Sequence, residues 1–165
     1  MHRQGELDLL AIIASNMQAF IVIGCGRAHE FRNLAQKGLT KYNFKMLGID
    51  RLPSSQVPPL QDFEYWPTDI FPQPNEFNPA LSQAIKAWRS RHNDPVLFYT
   101  DNGNKISELN ALIPLLRPND ILGTHDFGTE VPLTYSPGPD FTYLSEYDDY
   151  IDANYCMQAF WRRNP

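Results

Sequence analysis

The chain has 165 residues, room for one domain with a sizeable core and a single site but too few for two well-packed domains. With 42% hydrophobic and 20% charged residues it lies in the ordinary globular range, which excludes disordered and fibrous architectures, and its net charge of -5 argues against a nucleic-acid surface, which needs clustered positive charge. No apolar run approaches the ~20 residues of a bilayer span, no basic-then-apolar signal pattern opens the sequence, and Cys25 and Cys156 are too few and too distant for a disulfide framework or a four-ligand zinc site, so the expectation is a soluble, cytoplasmic protein without membrane contact.

Leu7, Leu9, Leu10, Ile12 and Ile13 recur on a helical period and predict a short first helix. Ala19–Ile23 is apolar on both faces and stops at Gly24-Cys25-Gly26, the pattern of a buried parallel strand and its turn. His29–Lys37 reads as a helix closed by Gly38, a residue suited to a left-handed cap. Residues 44–50 form a second strand ending on Asp50, completing a βαβ unit. Arg27, Arg32, Lys37, Lys41 and Lys45, the one basic stretch, read as a solvated face.

From Leu52 to Pro79 seven prolines remove backbone donors and fix φ, so this stretch is loop apart from a short strand at Phe63–Trp66. The missing helix predicts a thinly covered sheet face, open to a second copy of the chain. Asn78 and Pro79 have N-cap and first-turn chemistry, and Leu81, Ile85 and Trp88 give the helix that follows its buried stripe. Residues 95–101 form a strand ending on Asp101. Ile106 to Leu116 form a helix kinked at Pro114, and Ile121–Thr124 a strand ending at His125-Asp126. Beyond Phe127, the residues Gly128, Pro132, Pro137, Gly138 and Pro139 predict a loop, and Asn154–Arg163 supplies a last strand. The fold class is therefore α/β: a Rossmann-like open sheet, mostly parallel, three-layered and compact, with a shortened C-terminal region.

In such a sheet ligands bind beyond the carboxyl ends of the strands. Gly24, Cys25, Gly26, Asp50, Asp101, His125 and Asp126 should therefore converge. The glycine turn lets backbone approach a ligand closely, and an acid ending the second strand can accept from both hydroxyls of an adenosine ribose. His29 stands where a dinucleotide fingerprint needs its third glycine, which disfavours NAD.

Residues 21–28, 47–50 and 97–104, with the segment from Glu108 to Asp126, resemble class I S-adenosylmethionine-dependent methyltransferases. The likeness is strongest to the branch holding cephalosporin hydroxylase-like proteins and metal-dependent sugar or catechol O-methyltransferases. The resemblance implies S-adenosylmethionine as cofactor, with its methionine part on Gly24, Cys25 and Gly26, its ribose on Asp50, its adenine edge near Asp69, and Asp101 beside it. It also implies a divalent metal on Asp101, His125 and Asp126, and a small-molecule hydroxyl as methyl acceptor.

Two carboxylates suit Mg²⁺ or Mn²⁺, and an imidazole shifts the preference toward transition ions. Adjacent strand residues point to opposite faces, so His125 and Asp126 share an ion only if the strand bends between them. Lys105 is a candidate general base, provided that its pKa is depressed. The sequence departs from the family at Val22, where an acid is usual, and at Ala28, where a glycine is usual, which motivates an alternative: a non-catalytic binding or scaffold protein on the same fold. Tyr143, Tyr147, Tyr150, Tyr155, Phe160 and Trp161 read either as core or as the wall of an acceptor pocket.

Overall fold

The structure, a computed structural model, describes residues 4–38 and 44–165; Lys41 lies outside them. In chain order the elements are α1 (Gln4–Ala14), β1 (Ala19–Ile23), α2 (His29–Gln36), β2 (Lys45–Asp50), β3 (Phe63–Pro67), α3 (Pro79–Ser90), β4 (Val96–Thr100), α4 (Lys105–Leu112), β5 (Ile121–His125), β6 (Phe141–Tyr143), α5 (Asp148–Asn154) and β7 (Gln158–Arg163). The strands make one sheet in the order β3-β2-β1-β4-β5-β7-β6. β1 to β5 run parallel and β7 runs antiparallel to both its neighbours.

Every residue of β1, β4 and β5 is buried, because helices cover both faces. Phe20 and Val22 point into a core shared with Leu9, Leu10 and Ile13 of α1 and Phe31 and Leu34 of α2. Ile21 and Ile23 point the other way, onto Leu81, Ile85 and Trp88 of α3 and Leu109 and Leu112 of α4. Burying each such side chain contributes roughly 1.5–3 kcal/mol, so the strands with no polar face are also those that hold the layers together.

Local chemistry sets the element ends. Asn78 Oδ1 accepts from the amides of Ala80 and Leu81 at 3.0 and 3.4 Å, and Pro79 opens α3 as a first-turn residue with no amide to satisfy. Pro114 lies in a 3₁₀ turn, Ile113–Leu115, that ends α4. Gly38 takes φ +63° after α2. Of the basic stretch, Lys37 pairs with Asp8 at 3.1 Å and Lys45 with Asp62 at 2.6 Å, both at the surface.

The loop expected from Gly128 to Pro139 is present and the last strand, Gln158–Arg163, lies within the expected Asn154–Arg163, while β6 and α5 between them are additional elements. Compactness arises in the β2–β3 and β5–β6 connections, which carry no α-helix. At the β3 edge Val57 of the β2–β3 connection joins the core, and Leu60, Phe63 and Tyr65 pack against it while only half-buried.

Candidate active site at the strand tips

The strand order reverses between β1 and β4, from which the chain proceeds to β2 and β3 on one side and to β5 on the other. Ligands of open α/β sheets bind at this switch point. The turn after β1 and the turn after β4 meet there: the amide of Asp101 donates to Ile23 O at 2.8 Å. A Cβ on Gly24, which has φ +83°, would stand 2.5 Å from the backbone nitrogen of Asn102, so only glycine lets the two turns touch. Gly26, at φ +51°, has nothing within 4 Å of the place a Cβ would take. That open backbone faces a cavity of about 420 Å³ lined by Leu7, Gly24, Cys25, Gly26, His29, Glu30 and Asp101.

Ala28 adopts the left-handed conformation, φ 58° and ψ 41°, just before α2. The backbone conformation a glycine would favour is thus kept by an alanine whose methyl is buried. Val22 is wholly buried in the core, so that position contributes packing and no polar contact. Cys25 is buried too, and burial, then the carboxylates of Glu30 and Asp50, push its thiol well above the ordinary range.

Asp50 Oδ2 accepts from the amide of Gly26 at 2.8 Å and Oδ1 from the amide of Leu52 at 3.1 Å. Each oxygen keeps lone-pair capacity for a further donor, so the acid that ties the glycine turn in place can also accept from a ligand. Next to it Arg51 lines a second cavity of about 490 Å³, together with Asp69, Asn75 and Asn102 to Asn104. Asp69 is exposed there and accepts from the amide of Phe71 at 3.3 Å.

On the other side of Asp101 lies β5. Asp126 has φ +57°, and its carbonyl accepts from the amides of Thr129, Glu130 and Val131 at 3.1, 3.0 and 3.2 Å. The strand therefore bends sharply after His125, which is what lets adjacent residues face one point. His125 Nδ1 lies 3.3 Å from Asp101 Oδ1 and 3.0 Å from Asp126 Oδ1. One donor atom from each of Asp101, His125 and Asp126 lies within 4.8 Å of the others. Two carboxylate oxygens and an imidazole nitrogen so gathered fit a divalent cation.

Lys105 does not fit the part of a base. Its Nζ lies 2.8 Å from Asp126 Oδ2, 2.8 Å from Glu130 Oε2 and 2.9 Å from Asn102 O. Burial pulls its pKa down, but hydrogen bonds to Asp126 and Glu130 outweigh it and hold the ammonium charged, above the usual lysine range. Asp126 is held below the usual carboxylate range: burial opposes this, and Lys105 and His125 overcome it. Lys105 thus orients Asp126 and Glu130.

Two acids escaped the sequence reading. Glu6 on α1 is 2% exposed and its Oε2 lies 3.3 Å from His125 Nε2. Glu108 on α4 is fully buried beneath the β4–α4 turn, where its Oε1 accepts from the Asn104 amide at 3.3 Å. Glu6 interrupts the apolar stripe of α1, but the partner that gives it a role lies on β5, far along the chain. The aromatic residues do not form one wall. Phe160 is core, Tyr155 is 76% exposed, and Trp161, paired in register with Leu122 below the tip of β5, lines a cleft with Phe127, Tyr135 and Tyr143.

Known structures superpose on this architecture over nearly its whole length. The O-methyltransferase TomG from Streptomyces achromogenes, in complex with SAM, matches with TM-score 0.63 and 13% identity over 100% of this chain and 82% of its own. CmcI bound to SAH matches with TM-score 0.60 and 14% identity over 99% and 77%. The fold is that of the S-adenosylmethionine-dependent O-methyltransferases. Within this methyltransferase fold MycE, from the mycinamycin biosynthetic pathway and bound to Mg and SAH, matches with TM-score 0.58 and 12% identity over 95% of this chain and 47% of its own. No protein-family model matches the sequence, and no curated protein matches it.

Proposed function

We propose that the chain is an S-adenosylmethionine-dependent methyltransferase that methylates a hydroxyl of a small molecule with the help of a divalent cation. The observation that carries the reading is a juxtaposition at the switch point: the open backbone of Gly26 faces a cavity that Asp101 also lines, and Asp101 belongs equally to the carboxylate and imidazole cluster. An adenosyl ligand on one side of Asp101 would lie beside the place where an acceptor oxygen is activated on the other.

Each residue has a task. Gly24 and Gly26 admit the methionine part, Asp50 accepts from the ribose, and Arg51, Asp69 and the Asn102–Asn104 turn form the cavity for the base. S-adenosylmethionine held by these residues would supply an electrophilic methyl on its sulfonium, with S-adenosylhomocysteine as the leaving group and the hydroxyl proton passing to water. A divalent cation held by Asp101, His125 and Asp126 would lower the pKa of that hydroxyl. Positioning of the reactants then supplies most of the remaining acceleration. Lys105 keeps Asp126 ionised and aimed. TomG with SAM, CmcI with SAH and MycE with Mg and SAH share this fold, which supports the reading.

Calorimetric titration with S-adenosylmethionine and S-adenosylhomocysteine, each with and without Mg²⁺ or Mn²⁺, tests it. Binding of both nucleosides at micromolar concentrations is expected, and failure to bind at millimolar ligand removes the enzyme reading.

A further inference from the structure

Glu6 is separated by more than ninety residues of chain from any member of the cation cluster, yet both of its oxygens are engaged with the tip of the sheet. Oε1 accepts from the amide of Met157 at 3.1 Å, and Oε2 lies 3.3 Å from His125 Nε2. The opposite edge of the same ring, Nδ1, faces Asp101 Oδ1 at 3.3 Å and Asp126 Oδ1 at 3.0 Å. Carboxylates are seldom withdrawn from water without a partner to hold them. Asp8, two residues along α1, instead pairs with Lys37 at the surface.

A carboxylate only accepts, so a hydrogen bond at this contact requires the ring proton on Nε2. A cation gathered by Asp101 and Asp126 would then meet the lone pair of Nδ1. Hydrogen bonding at the far nitrogen is the general means by which the tautomer and orientation of a ligating histidine are fixed. We infer that Glu6 is the positioning residue for His125: it makes Nδ1 the ligating atom and thereby turns a site of two hard carboxylates toward a first-row transition ion in preference to Mg²⁺. This rests on the cation reading of the previous section. A ring free to turn, or protonated at Nδ1, would leave two oxygen donors, which favour Mg²⁺.

Replacing Glu6 by glutamine separates positioning from folding. The amide oxygen of Glu6→Gln can still accept from the Met157 amide, and its NH₂ then faces Nε2. That contact demands a lone pair on Nε2 and drives the ring proton to Nδ1. The measurement is Mn²⁺ binding to the full chain followed by electron paramagnetic resonance, with Mg²⁺ as competitor and thermal melting as the control for folding. Glu6→Gln is expected to melt like the wild type, to bind Mn²⁺ about 10–100-fold more weakly, and to lose most of the preference for Mn²⁺ over Mg²⁺. Wild-type affinity and preference in Glu6→Gln would overturn the assignment and leave the cation reading intact. A wild-type chain that binds neither Mn²⁺ nor Zn²⁺ would instead remove the cation reading, and this inference with it. If Glu6→Gln does not fold, ¹⁵N correlation spectra of the wild-type protein with Zn²⁺ decide the matter: ligation at Nδ1 with a proton on Nε2 upholds the inference, and ligation at Nε2 overturns it.

Discussion

Both ends of the sheet bury charge, and they do so differently. At the amino end of the parallel strands Asp120 is fully buried against Arg89, which is 2% exposed. Oδ1 accepts from Arg89 Nη2 at 2.8 Å and from the Val96 amide at 2.9 Å, and Oδ2 from Arg89 Nε at 3.1 Å and from the Arg117 amide at 2.8 Å. One acid meets one base and its capacity is used up. At the carboxyl end Glu6, Asp101, Asp126 and Glu130 surround one histidine and one lysine, with acids in excess around cavities. Burial of charge does not distinguish a structural pair from a site; the balance of donors and acceptors does.

The contrast can be broken from either end. Asp120→Ala should have the largest effect, since it leaves a buried guanidinium and two amides without their acceptor; a loss of about 3–5 kcal/mol is expected from chemical denaturation. S-adenosylhomocysteine affinity of the folded fraction should not change. At the carboxyl end substitution should stabilise instead. Burial pushes Glu108 up to about 7, against the opposing pull of the Asn104 amide and Lys105. Its folded pKa thus lies above the unfolded one, so its favourable contribution is complete below about pH 4.3 and is lost as pH rises through about 7. Glu108→Gln keeps the acceptor for Asn104 and should raise stability at pH 8 by up to roughly 3 kcal/mol while flattening that slope, as melts across pH 4 to 8 will show. A decrease at pH 8 would mean that the turn needs the charge.

The smallest effect belongs to Ala28→Gly. Relief of left-handed strain, about 1–2 kcal/mol, is opposed by the loss of a buried methyl and by the entropy of glycine, so stability should change by less than about 1 kcal/mol. A thermal melt checks it. A larger loss would show that the methyl carries the turn.

The parallel half of the molecule was legible in the sequence because its signals are local. A strand apolar on both faces, such as Ala19–Ile23, can only be central, and Asn78-Pro79 caps one helix by chemistry confined to four residues. The last forty residues were harder to read, since β6 has only three residues and α5 buries none of its seven, leaving no periodic stripe to detect. Topology explains why the site residues were found together: strand ends of an open sheet converge wherever their side chains point. Glu6 and the state of Lys105 could not be read in the same way, because they depend on packing between α1 and the tip of β5 and on the distance from Lys105 to Glu130. These are relations across the fold that no spacing in the chain records.

Asp126, at φ +57°, has a consequence for how such a site can diversify. A straight strand would deliver His125 and Asp126 to opposite sides, and a second donor would have to come from another strand. By turning its corner at a non-glycine residue, β5 writes both donors as neighbouring letters of one dipeptide. If the proposed cation binds here, its chemistry can therefore be rewritten by changing a single strand end, while the cavity assembled from β1, β2 and β4 stays untouched.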